Sequence, residues 1–293
     1  MKKRLMAAVL STAMAATMLL TGSISVQAAD AAAANDPAVE LIFTSVSVSG
    51  DSHTEAMYEF ADKVEELSGG SVTCKCYDNG SLFSSENEFD ALLNGDADLA
   101  YISFPTIATQ IPSYSMFASG YLFSSYEHMT SVLNGDIGLN KIRPQIEETL
   151  NIKPLSSFYL GSRVINTREK EINSYDDMNG LLLRMPNSEA WLFLGEALGA
   201  NPTPLSFSEL YTALQTGAVD AQDNPLPSIE SAKFYEVTKY IAITNHVVDS
   251  IMPCINGDTW NSMTEAQQEA VTEAMESKLF DGVTDIFFGS MID

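Results

Sequence analysis

Positive charge is scarce in this 293-residue chain: 15 lysines and arginines stand against 39 aspartates and glutamates, a net charge of −24. Binding a polyanion needs a basic patch or stripe, so nucleic acid and anionic membrane surfaces are excluded as partners. Histidine is scarcer still, with only His53, His128 and His246. None sits in a His-Glu-x-x-His setting, and no serine stands in Gly-x-Ser-x-Gly, so the sequence writes neither a metal centre nor a hydrolase nucleophile. The cysteines are Cys74, Cys76 and Cys254. An odd count allows at most one internal bridge, and Cys74-Lys-Cys76 has the wrong spacing for a zinc ribbon. Buried apolar thiols are the expected state. No catalytic residue, metal or cofactor is therefore assigned.

Long apolar runs are also absent, apart from the N-terminus. Met-Lys-Lys-Arg4, apolar Leu5 to Leu20, and small residues ending at Val26-Gln-Ala28 form an export signal over residues 1–28. The alternative, a membrane anchor, is barely long enough and runs into a polar, Ala-rich linker at 29–37. Leu20-Thr-Gly-Ser23 resembles a lipoprotein box with serine in place of the lipidated cysteine, so the exported chain is expected to be soluble and extracytoplasmic. Removing residues 1–28 takes away three cations and no acids, leaving only Arg143, Arg163, Arg168 and Arg184 as arginines. In so acidic a molecule each arginine is informative, because gripping an anion requires a local reversal of the field.

What is present is enough for substantial cores: 45% hydrophobic and 18% charged residues. Val39 to Ser47 reads as a β-branched first strand, Glu55 to Leu67 as an amphipathic helix ended by Gly69-Gly70, and Ser71 to Tyr77 as a second strand. Strand, helix, parallel strand opens a doubly wound sheet. A helix capped by Ser84 or Ser85 carries Phe89, Leu92 and Leu93, and Asp98 to Ser103 is the next strand. Further helices are expected at Glu127 to Leu133, Lys141 to Leu150, Lys233 to Ile243 and Thr264 to Leu279, the last with the capping signal Thr264-Glu-Ala-Gln267. Leu155 to Tyr159 is expected to be a crossover strand.

Ala91-Leu-Leu-Asn-Gly-Asp-Ala-Asp98 and Ala213-Leu-Gln-Thr-Gly-Ala-Val-Asp220 share one form, in which a helix stops at glycine and hands over to a strand near an aspartate. Either helix–glycine–strand joints are simply common, or the chain holds two similar α/β lobes facing a shared cleft.

The densest signal lies between Ser174 and Pro225. Ser174-Tyr-Asp-Asp caps a short helix ended by Asn179-Gly180, and Leu181 to Met185 reads as a buried strand with Arg184 at its carboxyl end. Pro186 stops it, and Asn187 or Ser188 caps a helix over Glu189 to Leu198. Ligands of open α/β sheets bind beyond the carboxyl ends of strands, where an arginine can hold a carboxylate by two parallel hydrogen bonds. An ion pair with Asp176 or Asp177 is the structural alternative for Arg184.

Leu183-Arg-Met-Pro-Asn187, Leu198-Gly-Ala-Asn-Pro-Thr-Pro204, Glu209-Leu-Tyr-Thr-Ala-Leu-Gln-Thr-Gly-Ala-Val-Asp220, Gln222-Asp-Asn-Pro225 and Lys233-Phe-Tyr-Glu-Val-Thr-Lys-Tyr240 closely resemble the DctP-type solute-binding proteins of tripartite ATP-independent periplasmic (TRAP) transporters. The resemblance covers nearly all of the chain after the signal segment. It implies a two-lobed periplasmic-binding-protein fold of class α/β, each lobe a mostly parallel sheet flanked by helices. Lobe 1 spans 38–160, with 250–285 returning to it, and lobe 2 spans 161–249. The family usually continues through further helices, so the resemblance implies a fragment or short variant ending at Asp293.

The resemblance also implies a function: capture of a small organic acid, by a monomer, for delivery to the ion-coupled membrane permease of a TRAP transporter. Arg184 would bind the ligand carboxylate, Arg163 would contact it or support Arg184, and Asn224 would hydrogen-bond the acid. In lobe 1 the candidates are Val46 or Ser47, Ser85 or Glu86, Ser103 and His53, and in lobe 2 Asn187 is a further one. Sialic-acid-binding members carry asparagine near Val46 and acids near Ser85 and Ser103. This chain has none of these, so sialic acid is not the expected ligand; a monocarboxylate, a dicarboxylate or a sugar acid is. The rivals are a ligand sensor for a membrane kinase and a hydrolase or lyase.

Overall fold

The computed structural model of the chain describes residues 36–276, so the export signal, most of the linker and the segment beyond residue 276 lie outside the described residues. β1 (Val39–Thr44) leads to Asp51, whose carboxylate accepts from the His53 N–H at 2.9 Å and caps α1 (Ser52–Leu67). Ala56, Met57, Phe60 and Val64 recur at helical spacing on its buried face. β2 (Val72–Tyr77) pairs parallel to β1. α2 (Glu88–Asn94) follows, with Asn87 in the cap position and no side-chain cap, so neither Ser84 nor Ser85 has the expected capping role. β3 (Leu99–Ile102) then pairs parallel to β1, and α3 (Phe104–Ile107) starts at its end.

α4 (Tyr126–Leu133) and α5 (Arg143–Leu150) fall where apolar spacing placed them, α5 being preceded by a π-turn over Gly138–Ile142. β4 (Ile152–Pro154) leads into β5 (Phe158–Thr167), a longer strand than the expected crossover. After the short 3₁₀ helix Tyr175–Met178, with the Ser174/Asp177 capping box in place, come β6 (Leu182–Met185), α6 (Glu189–Ala197), β7 (Asn201–Pro204) and α7 (Phe207–Thr216). Next are β8 (Ala221–Pro225), α8 (Leu226–Ser231) and β9 (Tyr240–Asn256). The helix expected over Lys233 to Ile243 is instead a 3₁₀ turn at Phe234–Glu236, entered through left-handed Lys233, followed by the start of β9. The β-branched Ile241 and Ile243 suit a strand, and the Ile165–Thr167 end of β5 is there to pair with it. α9 (Gly257–Ser262) and α10 (Glu265–Glu276) close the described chain, with Thr264 and Gln267 reciprocally bonded at the start of α10.

The strand order is β2-β1-β3-β9-β5-β8-β6-β7, with β4 also on β9. It divides into two halves of like design. β2, β1 and β3 are parallel, with β9 antiparallel to β3; β7, β6 and β8 are parallel, with β5 antiparallel to β8. Both faces of each half are buried. On β3, Leu99 and Tyr101 enter one core while Ala100 and Ile102 enter another; on β5, adjacent Val164 and Ile165 divide in the same way. β5 and β9 join the halves as a long antiparallel pair with irregularities between Tyr159 and Gly161 and between Arg163 and Ile165.

The sequence echo is a structural repeat. Gly95 and Gly217 close α2 and α7 with φ of 77° and 81°, and each N–H returns to the carbonyls of the two residues that open the motif. Asp98 then exchanges backbone and carboxylate hydrogen bonds with Ile42, its N–H reaching Ile42 O at 3.0 Å and its Oδ2 accepting from Ile42 N at 2.8 Å. Asp220 does the same with Leu182, at 2.9 and 3.0 Å. Each aspartate starts the strand whose far end reaches the region between the halves.

Candidate functional site

A cavity of about 390 Å³ lies where the strands of the two halves end. The first half contributes Val46 and Ser47 after β1, Ser103 after β3, Asp51 at the start of α1, and Ser85, Glu86 and Glu88 around the start of α2. The second half contributes Arg184 from β6, Asn187 from the turn before α6, Asn224 from β8 and Ser228 from α8; Arg163 and Asp249 come from the joining strands β5 and β9. Of the residues singled out in the sequence, Arg184, Arg163, Asn224, Ser103, Ser85, Glu86 and Asn187 are brought together here.

His53 is not among the lining residues. Its ring is turned into the first half, 1% exposed, with Nδ1 3.1 Å from Asp51 Oδ1 and its edge against Tyr101. The residue that faces the cavity from this corner is Asp51, because the helix cap must sit at the helix mouth and His53 is one turn-step inside. Asp51 also reaches the other half, its Oδ2 accepting from the Ser231 hydroxyl of α8 at 3.2 Å.

Arg184 is 2% exposed, and its Nε donates to Leu205 O at 2.8 Å. No ion pair among the described residues includes it: Asp177 is engaged by Ser174 and Asn173 instead. Burial pushes the Arg184 guanidinium down to about 10, with the charge of Arg163 adding to the effect and Asp223 and Glu86 only partly offsetting it. A cation that has been stripped of water and left without a counter-ion is a costly feature unless an anion arrives.

Arg163 is the opposite case. Its Nε donates to Asp223 Oδ2 at 2.7 Å, Nη1 to Asp249 Oδ2 at 2.8 Å, and Nη2 to Asp223 Oδ1 at 3.0 Å and Asn224 Oδ1 at 3.2 Å. The guanidinium also stacks over the Trp191 ring, 4.5 Å from its centroid. Burial alone would lower its pKa, but the two carboxylates reverse this and raise it. Asp223 in turn, which burial would raise, is held below the ordinary carboxylate range by Arg163 and His246. Asn224 is anchored in the same cluster, its Nδ2 donating to Gln222 Oε1 at 2.6 Å.

Reading the sequence missed Asp223, Asp249, Asp51 and Glu88. Asp223 stood beside Asn224 in the Gln-Asp-Asn-Pro run, so a signal was there. Asp249 and Glu88 carried none, since only the fold brings them to the cavity. Tyr211 bonds Glu236 at 2.8 Å away from the lining, whereas Trp191 lines the cavity. Cys74, Cys76 and Cys254 are free, with Cys254 buried and the other two half-buried. No group of metal-ligating side chains occurs among the described residues, and no helix among them is long and apolar enough to cross a membrane.

Residues 43–279 match the DctP family model, described as bacterial extracellular solute-binding protein, family 7. The chain is 33% identical over 216 residues to the sialic acid-binding periplasmic protein of Vibrio cholerae, covering 74% of this chain and 67% of that one. The chain spans about two thirds of the length of the curated relatives it matches. Among solved structures it is 37% identical to a TRAP periplasmic solute-binding protein from Roseobacter denitrificans with bound 3-deoxy-D-manno-oct-2-ulosonic acid, with TM-score 0.80 over 86% of this chain and 83% of that one. A second protein from that organism, with bound L-galactonate, gives 29% identity and TM-score 0.82 over 88% and 84% of the two chains.

Proposed function

The chain belongs to the DctP family of bacterial extracellular solute-binding proteins, and we propose that it captures a hydroxylated monocarboxylate, a sugar acid, in the cavity between its two lobes. The observation that carries this reading is Arg184, a buried guanidinium in the cavity wall with no carboxylate partner among the described residues. Its two Nη atoms suit a bidentate carboxylate, and a dry pocket makes that pairing strong.

The remaining charges argue for one carboxylate and no more. Arg163 is the other cation in the lining, and Asp223 and Asp249 already engage it. The opposite wall carries Asp51, Glu86 and Asp90 as acids. A second carboxylate would meet negative charge there, whereas hydroxyls would find acceptors, joined by Ser47, Ser85, Ser103 and Thr106.

Capture follows from differential contact. We take residues 38–160 with 250–285, of which 250–276 are described, as one lobe and 161–249 as the other, hinged on β5 and β9. A ligand that touches Arg184 on one side and the serine-rich wall on the other binds best when the lobes are closed, so it selects that state. The Asp51–Ser231 hydrogen bond supports the closed arrangement. The closed complex then hands its ligand to a TRAP-type membrane permease outside the cytoplasm.

A thermal-shift screen of the purified protein against sugar acids, plain alkanoates and dicarboxylates tests this. Sugar acids are expected to raise the unfolding temperature by mass action. Stabilisation by dicarboxylates alone, or by none of the panel, would reject the reading.

A further inference from the structure

We propose that Glu88 hydrogen-bonds a ligand hydroxyl at the end remote from the ligand's carboxylate, and thereby selects hydroxylated acids over plain alkanoates and dicarboxylates. This rests on the reading of the cavity as an organic-acid site.

Glu88 lines the cavity from the first lobe, yet its side chain is only 5% exposed. Its neighbours Glu86 and Asp90 are exposed at the same mouth, as acids near a cavity rim ordinarily are. Among the described residues Glu88 Oε1 has no hydrogen-bond partner, and neither does Thr44 Oγ1, fully buried at the end of β1. Buried polar atoms almost always find partners, because leaving one bare costs more than a typical hydrogen bond returns. No basic residue neutralises Glu88 among the described ion pairs. A glutamate kept for structure would have both oxygens engaged; Glu88 Oε1 is not, the residue makes no described ion pair, and it lies against the space a ligand would fill.

The chemistry of the side chain fits a hydroxyl. Burial pushes the Glu88 carboxyl well above its ordinary value, with the nearby Thr44 hydroxyl opposing, and this favours the protonated form. A neutral carboxyl both donates and accepts, as a hydroxyl does, so the pair satisfies each other without importing charge. A methylene in the same place leaves the carboxyl bare, and a site built around a hydrogen bond discriminates strongly against such an analogue.

The test is calorimetric titration of the full chain and its Glu88→Gln and Glu88→Leu variants with D-galactonate, D-gluconate, D-glucuronate, hexanoate and succinate. The wild type is expected to bind at least one sugar acid more tightly than hexanoate and succinate, by about tenfold or more. Glu88→Leu should erase most of that preference by weakening the sugar acid while leaving hexanoate unchanged, and Glu88→Gln should keep most of it. Ligand-free Glu88→Leu should unfold at the same or a higher temperature than wild type, since it removes an unsatisfied buried group; a clear fall would mark Glu88 as structural and overturn the proposal. An unchanged preference in Glu88→Leu, or a wild type that prefers succinate or hexanoate, would overturn it too. If sugar-acid binding depends on Arg184 but not on Glu88, only this inference falls. If no acid in the panel binds the wild type, the organic-acid reading falls and takes this inference with it.

Discussion

Arg163 Nε lies 2.7 Å from Asp223 Oδ2, inside a buried cluster that also holds Asp249 and His246. Because Asp223 is occupied there, it makes no ion pair with Arg184, the second buried arginine of the same wall. Two arginines that look alike in the sequence are therefore unlike in kind. One is engaged by two buried carboxylates, and the other makes no ion pair among the described residues.

The first consequence concerns stability. Arg163→Ala would strand two buried carboxylates, and losing one partner of such a pair typically costs about 3–5 kcal/mol. Urea unfolding should show a loss of that order, with Arg163→Lys recovering little of it because a lysine cannot reach both acids with a planar fork. A loss below about 1 kcal/mol, the level of an exposed pair, would mean the cluster is not closed to water.

The same cluster sets a pH dependence. The Asp223 carboxyl is held below the ordinary carboxylate range by Arg163 and His246 against the opposing effect of burial. Its folded-state value is thus below the unfolded value of about 3.9, so its contribution is complete above that pH and is lost as the pH falls toward the folded value. Asp249 runs the other way: burial, outweighing Arg163, raises its carboxyl, which costs stability as the pH rises through the unfolded value. Asp223→Asn should be less stable than wild type by a constant margin from about pH 6 to 8, and the margin should narrow as the pH drops below about 4. A margin that persists undiminished at about pH 3 would show that the charge of Asp223 is not what stabilises the fold.

The repeated joint gives a third prediction. Gly95 and Gly217 hold φ of 77° and 81°, which an alanine adopts only at a cost of about 1–2 kcal/mol. Gly95→Ala should lose about that much, since an added Cβ comes no nearer than 3.8 Å to Asn256 Nδ2. Gly217→Ala should lose as much or more, because its Cβ would meet Arg168 Nη1 at 2.9 Å and push that side chain aside. Equal stability of both variants with wild type in thermal unfolding would contradict the left-handed closure.

Much of this was legible beforehand, for identifiable reasons. Short apolar runs bounded by Gly, Pro and Asn marked β1, β3 and β6, and Arg184 could be placed because Pro186 ends its strand at a known point. The Ala-Leu…Gly…Asp echo carried the joint in residue types that serve it directly. The long strand β9 was hidden because Lys233 to Ile243 has no period that excludes a helix, and only pairing with β5 decides it. His53 was misplaced because its ring packs against Tyr101 inside the first half, while the Asp51 carboxylate it touches is the group that lines the cavity. Glu88 and Asp249 were invisible, since burial of an acid is a property of what folds over it.

The most direct test is to titrate wild type, Arg184→Ala and Arg184→Lys with the sugar acid that stabilises the wild type most, and to measure urea unfolding of each without ligand. Arg184→Ala should lose about 2–5 kcal/mol of binding free energy, as expected when one partner of a buried charge pair is removed. Its ligand-free stability should stay equal to or rise above wild type, because a bare buried cation is gone. Undiminished affinity in a folded Arg184→Ala variant would contradict the account at its centre.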